Sequence, residues 1–97
     1  MKRLSIRPQV RIELLEAADW YEAHDEELRS AFLQAFEATI DNIVRYPQGY
    51  QVVYRTARRA VLRRFPYSII YRVDEEEIVV VACTHNARDP AEWQKRV

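Results

Sequence analysis

The spacing of apolar side chains along this chain shifts near Gly49. Between Pro8 and Pro47 the apolar positions recur at helical intervals, and past Gly49 the period of 3.6 gives way to one of 2. Arg3-Leu-Ser-Ile-Arg7 alternates apolar and polar residues and predicts a short edge strand. Pro8 presets the backbone of a first helical turn, and Val10, Leu14, Ala17/Ala18 and Tyr21 form one stripe, predicting a helix over about 9–24. Asp25 is a potential N-cap, and Glu26 and Glu27 stand where first-turn amides attract carboxylates. A second helix follows with Leu28, Phe32, Ala35/Phe36, Thr39/Ile40 and Ile43 on one face and Arg45 near its C-terminus. It ends at Pro47, which pushes the preceding residue out of the helical region. Almost nothing separates the two helices, so they are expected to pack as an antiparallel hairpin.

Past Gly49 the segments Tyr50 to Arg55, Ala60 to Phe65, Tyr67 to Val73 and Ile78 to Thr84 read as successive strands. Asp74-Glu-Glu-Glu77 is a charged hairpin tip between the last two. The run Ile78 to Cys83 has no polar alternation, which implies a central strand covered on both faces. Asp89-Pro90 starts a turn or a short C-terminal helix, and Trp93 is expected to fold back as an anchor. The order predicts an α+β domain: an N-terminal strand, an α-helical hairpin, then an antiparallel sheet of three to four strands with the helices on one face. At 97 residues, residues 1–97 form one domain with one core.

Composition sharpens this picture. The chain is 48% hydrophobic and 31% charged with a single glycine, which excludes a disordered or fibrous protein. Its zero net charge hides a segregation: residues 1–50 carry six basic and nine acidic side chains, and residues 51–97 carry nine basic and six acidic. Thirteen of the fifteen basic residues are arginine, whose planar fork suits bidentate contacts with phosphate or carboxylate; an arginine-favouring genome accounts for the bias equally well. Cys83 sits inside an apolar strand pattern and reads as a small buried hydrophobe in a reducing compartment. No apolar run reaches the roughly 18–20 residues that span a bilayer, and no signal-peptide pattern precedes Leu4, so a cytoplasmic protein without membrane contact is expected.

The chemistry concentrates in an acid-free stretch holding Arg45, Arg55, Arg58, Arg59, Arg63, Arg64 and Arg72. Arg55, Arg63, Arg64 and Arg72 are expected on adjacent strands, some of them on the face away from the helices. With Tyr54, Tyr67 and Tyr71 interleaved they would hold phosphates or the acidic tail of a protein partner. The alternative is a solvated face on which arginines lie over tyrosine rings. His85, just past a buried strand end and beside Asn86 and Arg88, is either a structural hydrogen-bonder or a titrating group. His24 reads as a surface residue. Two distant histidines and one cysteine lack the spacing of a metal site, and no cofactor is implied.

Trp20-Tyr21, Pro47, Arg63-Arg-Phe-Pro-Tyr67, Ile70-Tyr-Arg72 and His85 through Arg88-Asp-Pro to Trp93, in this order over nearly the whole chain, resemble the RelE/ParE superfamily, with ParE the nearer branch. The resemblance implies a toxin of a type II toxin–antitoxin pair, in a hetero-oligomer with an antitoxin whose C-terminal segment wraps over it. Within the superfamily the alternatives are poisoning of DNA gyrase, as in ParE, and ribosome-dependent mRNA cleavage, as in RelE. Cleavage by a 2′-hydroxyl needs a base, an acid and a cation at the phosphate. Arg64, Arg72, His85 and Arg88 are the candidate catalytic residues for that chemistry. No lysine or carboxylate lies between Arg45 and Val73 and no tyrosine follows Arg88, so the residues favour a gyrase-binding protein over an enzyme. Target binding is then expected at Arg55, Arg63, Arg64, Arg72, His85 and Arg88, and antitoxin binding at Tyr54, Arg63, Tyr67, Tyr71 and Arg72.

Overall fold

The computed structural model describes residues 2–97. Strand β1 (Arg3–Ile6) leads into helix α1 (Pro8–His24), which has Pro8 at its first position, and α1 is followed directly by α2 (Glu26–Arg45). The Asp25 side chain accepts the Glu27 amide as the N-cap of α2, while its own amide closes the end of α1 on the Tyr21 carbonyl. One residue thus ends one helix and starts the next, so the pair can only run antiparallel. Arg29 of α2 bridges to Asp19 and Glu22 of α1 across the outer seam. Both helices lay the expected stripes inward: Val10, Ala17 and Ala18 of α1 and Phe32, Phe36, Ile40 and Ile43 of α2 are buried in one core. No helix among the described residues is long and apolar enough to cross a membrane.

The sheet consists of β1 with β2 (Val52–Tyr54), β3 (Ala57–Val61), β4 (Tyr67–Val73) and β5 (Glu77–His85), in the order β1-β5-β4-β3-β2. Neighbours among β2 to β5 pair antiparallel, and β1 joins β5 in parallel, so the sheet is mixed and five-stranded. The run Ile78 to Cys83 is buried on both faces, as its lack of alternation predicts. A bulge explains how it does this. Ile70 pairs with Ala82 and Tyr71 with Val80, which leaves Val81 as an extra residue and reverses the alternation of β5. Ile78 and Val80 before the bulge and Cys83 after it all join the helix-side core, whereas Val79, Val81 and Ala82 face away.

That second face is covered as well. The short helix α3 (Ala91–Gln94) lays Trp93, 3% exposed, over Ala57, Ile70, Val79, Val81 and Ala82. Trp93 is therefore the anchor that the sequence predicts, and Tyr54 meets it edge to face at 6.0 Å.

Two strand boundaries differ from expectation. β2 is shorter than Tyr50–Arg55, and β3 begins at Ala57 and ends at Val61 instead of running from Ala60 to Phe65. The connections are made by arginines in the left-handed region, Arg55 (φ 51°) between β2 and β3 and Arg64 (φ 72°) between β3 and β4. Neither place carries the glycine or asparagine that normally marks such a turn.

Candidate functional site

The arginines expected on adjacent strands are distributed differently. Arg63 and Arg64 lie in the loop between β3 and β4, Arg55 in the turn between β2 and β3, and only Arg72 is on a strand. The register fixes which of them meet. β3 and β4 pair from Arg58↔Tyr71 to Val61↔Ser68, so the start of β3, with Arg55 before it, is level with Arg72. The β3–β4 loop lies at the other end, beside Tyr67 and His85, which pair directly. Arg72 lies five steps along β4 from Tyr67, roughly 17 Å at the usual rise.

At the Tyr67 end the Asn86 amide donates to the Pro66 carbonyl (2.8 Å) and the Ser68 hydroxyl donates to the Asn86 side-chain carbonyl, tying the β3–β4 loop to the segment after β5. These bonds bring Arg63, Arg64, His85 and Arg88 to one end of the sheet. Arg63 and Arg64 are exposed and form no ion pair among the described residues, and Arg64 lies over the Phe65 ring at 5.9 Å. Arg88 reaches Glu92 at 3.6 Å across exposed surface, a contact of little energetic weight. At the far end Arg72 is bonded to Asp74 (3.3 Å) and Arg55 lies over Tyr54 at 5.3 Å.

The tyrosines serve the core. Tyr71 is fully buried, its hydroxyl donates to the Pro47 carbonyl (2.7 Å), and burial pushes its phenol up to about 12. The expectation of Tyr71 as a partner contact is thereby corrected: its place in the β4 alternation turns it under the helices. Tyr67 is half-buried among Tyr21, Phe32 and His85, and burial raises its phenol as well. Tyr54 is half-buried against Trp93. Arg58 is consumed structurally, donating to the Gln48 and Tyr50 carbonyls (3.2 and 2.6 Å), and the Nε of Arg59 is buried with no partner among the described residues.

His85 stands at the end of β5 with its ring edge to face against Tyr67 at 5.1 Å. Its Nδ1 accepts the Ala87 amide (3.0 Å). Because an amide can only donate, the neutral ring carries its proton on Nε2 and has no free lone pair. His85 and Arg88 border a groove of about 620 Å³ between α1 and the end of β5, which also touches Glu16, Trp20 and Tyr67. Trp20 is 56% exposed there, with its ring 4.1 Å from that of His24. A second groove of about 610 Å³ runs between α2 and the β3–β4 loop, with Arg63 and Arg64 at its rim.

Sequence reasoning missed Glu13 and Arg96. Their ion pair (2.9 Å) is nearly buried, and Glu13 also accepts the Cys83 amide while Arg96 donates to the Val81 carbonyl. No local pattern marks a contact between the first helix and the next-to-last residue. The Cys83 thiol is pushed up to about 12, by burial first and by the nearby Glu13 second. Among the described residues no three His, Cys, Asp or Glu side chains gather as a metal site.

A family model described as "ParE toxin of type II toxin-antitoxin system, parDE" matches residues 4–90. Two relatives named Toxin ParE2, from Mycobacterium tuberculosis strains CDC 1551 / Oshkosh and ATCC 25618 / H37Rv, are each 26% identical over 90 residues, covering 92% of this chain and 86% of theirs. A solved structure titled "Chromosomal ParDE TA system from P. aeruginosa" shares the fold, with a TM-score of 0.78 at 20% identity over 88% of this chain and 96% of that one.

Proposed function

Because this chain belongs to the ParE toxin family of type II toxin–antitoxin systems, we propose that it arrests growth by binding DNA gyrase and that a cognate antitoxin neutralises it. The observation that carries binding over RNA cleavage is the placement of the candidate residues. The Nδ1 of His85 is engaged by the Ala87 amide. The other candidates are arginines, which are poor bases. Arg64 and Arg88 stay protonated, and Arg72 lies at the opposite end of β4 in a bond with Asp74, roughly 17 Å away by strand rise. Arg72 and His85 therefore cannot serve one phosphate.

What remains at the Tyr67 end is a contact surface: two exposed arginines on a loop, Arg88 beside them, and the exposed Trp20 across the neighbouring groove. Arginine and tryptophan are the residues from which tight protein interfaces draw most of their energy. Acidic residues on an antitoxin would meet the same cations, consistent with neutralisation by covering this end.

Supercoiling by purified gyrase with added protein, paired with primer extension on mRNA from cells expressing it, tests the reading. Inhibited supercoiling with intact mRNA is expected. Codon-periodic cuts with unaffected supercoiling would overturn it in favour of a ribosome-dependent nuclease.

A further inference from the structure

We infer that the groove between α1 and the end of β5 binds a purine nucleotide, whose base is held by the backbone edge of β5 and by the aromatic rings around it. The inference goes beyond the gyrase reading and does not depend on it.

Hydrogen-bond direction establishes the edge. In an antiparallel ladder, alternate residues point both backbone groups to the same side. The Asn86 amide donates toward β4, to the Pro66 carbonyl, and the Cys83 amide donates the other way, to Glu13. Cys83 and His85, two residues apart, therefore both point away from β4, on the side where β1 has already ended at Ile6. Glu13 takes the Cys83 amide, and the His85 carbonyl accepts the Arg88 amide (3.0 Å). The Cys83 carbonyl and the His85 amide are left as an acceptor and a donor side by side, without partners among the described residues. Both residues line the groove.

The slot is too short for a strand. An antiparallel strand would need both backbone groups of Cys83 or both of His85, and one of each is occupied. A parallel strand would place a single residue there before meeting Glu13. A planar ring with a donor next to an acceptor needs no more than this pair. Purines carry such an edge, in the amino group and adjacent ring nitrogen of adenine or in N1–H and O6 of guanine. The groove, about 620 Å³, suits a ligand of that size. Trp20, Tyr21 and Tyr67 line it with rings for stacking, of which a purine covers more than a pyrimidine does. Glu16, one turn before Trp20 on the same face of α1, stands as an acceptor for ribose hydroxyls. Arg88 is the cation for the phosphate, because its exposed contact with Glu92 is weak enough to exchange.

The test titrates the whole chain with adenosine monophosphate, followed by amide NMR and tryptophan fluorescence. Saturable binding with a Kd of about 1 mM or tighter is expected, with quenching of the exposed Trp20 and a shift of the His85 amide. Trp20→Ala removes a stacking ring from the surface and should weaken binding about tenfold. His85→Ala keeps the backbone donor and should bind within about threefold of the parent, whereas His85→Pro removes that donor and should lose about tenfold. If the proline variant does not fold, the Trp20 variant and the His85 amide shift decide. Inorganic phosphate should leave the His85 amide unmoved. Shifts confined to Arg63, Arg64 and Arg88 would overturn the inference in favour of a plain anion patch, and equal affinity for cytidine monophosphate would overturn the assignment to a purine. A His85 response to single-stranded oligoadenylate but not to the mononucleotide would overturn it in favour of a base held within a strand. No saturation by about 10 mM would overturn it outright.

Discussion

The Glu13 carboxylate on α1 accepts the backbone amide of Cys83 on β5 at 3.0 Å, at the point where β1 no longer covers the β5 edge. The last contact from the β1 side is the Arg7 amide on the Val80 carbonyl, after which the chain turns into α1. Glu13 takes the next outward amide, and Arg96 pairs with its other oxygen while donating to the Val81 carbonyl. A carboxylate and a guanidinium thus close an edge that a longer β1 would have closed.

Glu13→Ala should leave a buried amide and a nearly buried guanidinium without partners, at a cost of about 3 kcal/mol. Glu13→Gln keeps an acceptor for Cys83 and loses only the ion pair, so about 1 kcal/mol is expected. Urea denaturation of both variants checks this. Equal losses would show that the Cys83 bond contributes nothing.

Trp93→Ala should cost on the order of 3 kcal/mol, because it opens the cluster that seals the sheet's second face. Trp20 is exposed, so in a Trp20→Phe background the remaining fluorescence should be blue-shifted and resistant to acrylamide. A red-shifted, readily quenched emission would contradict the burial of Trp93.

Stability should decline in alkali. Burial raises Tyr71 from 10.0 to about 12, and burial with Glu13 raises Cys83 from 9.0 to about 12. Both groups are neutral when protonated, and both have folded values above their unfolded ones. Their contribution is therefore complete below pH 9 and is lost as pH rises from 9 toward 12. For Tyr71 the loss amounts to about 3 kcal/mol. Tyr71→Phe should flatten the upper part of this decline, and the native thiol should resist a disulfide-exchange reagent at pH 8.

Toxicity should depend on the loop arginines more than on His85. Arg64→Gly accommodates the left-handed backbone without strain, so folding stability should stay within about 1 kcal/mol of the parent while growth arrest weakens. His85→Ala should reduce toxicity only modestly. A loss of about a hundredfold or more on removing His85 would instead point to acid–base chemistry.

By itself the sequence determined the elements whose signals are local. The apolar stripes of α1 and α2, Asp25 capping, Pro47 stopping and the unbroken run in β5 all depend on residues within a turn or two of each other. The tertiary structure decided everything that depends on register or on distant partners. Arg55 and Arg64 adopt left-handed turns without glycine because the surrounding sheet imposes them, which moved β3 and carried Arg63 and Arg64 off the strands. The bulge at Val81 set which side chains of β5 look toward the helices, and the register of β3 on β4 sent Arg72 and His85 to opposite ends. Glu13 found Cys83 across 70 residues. Contacts of that range leave no periodic trace in the chain, because their geometry exists only once the sheet has closed.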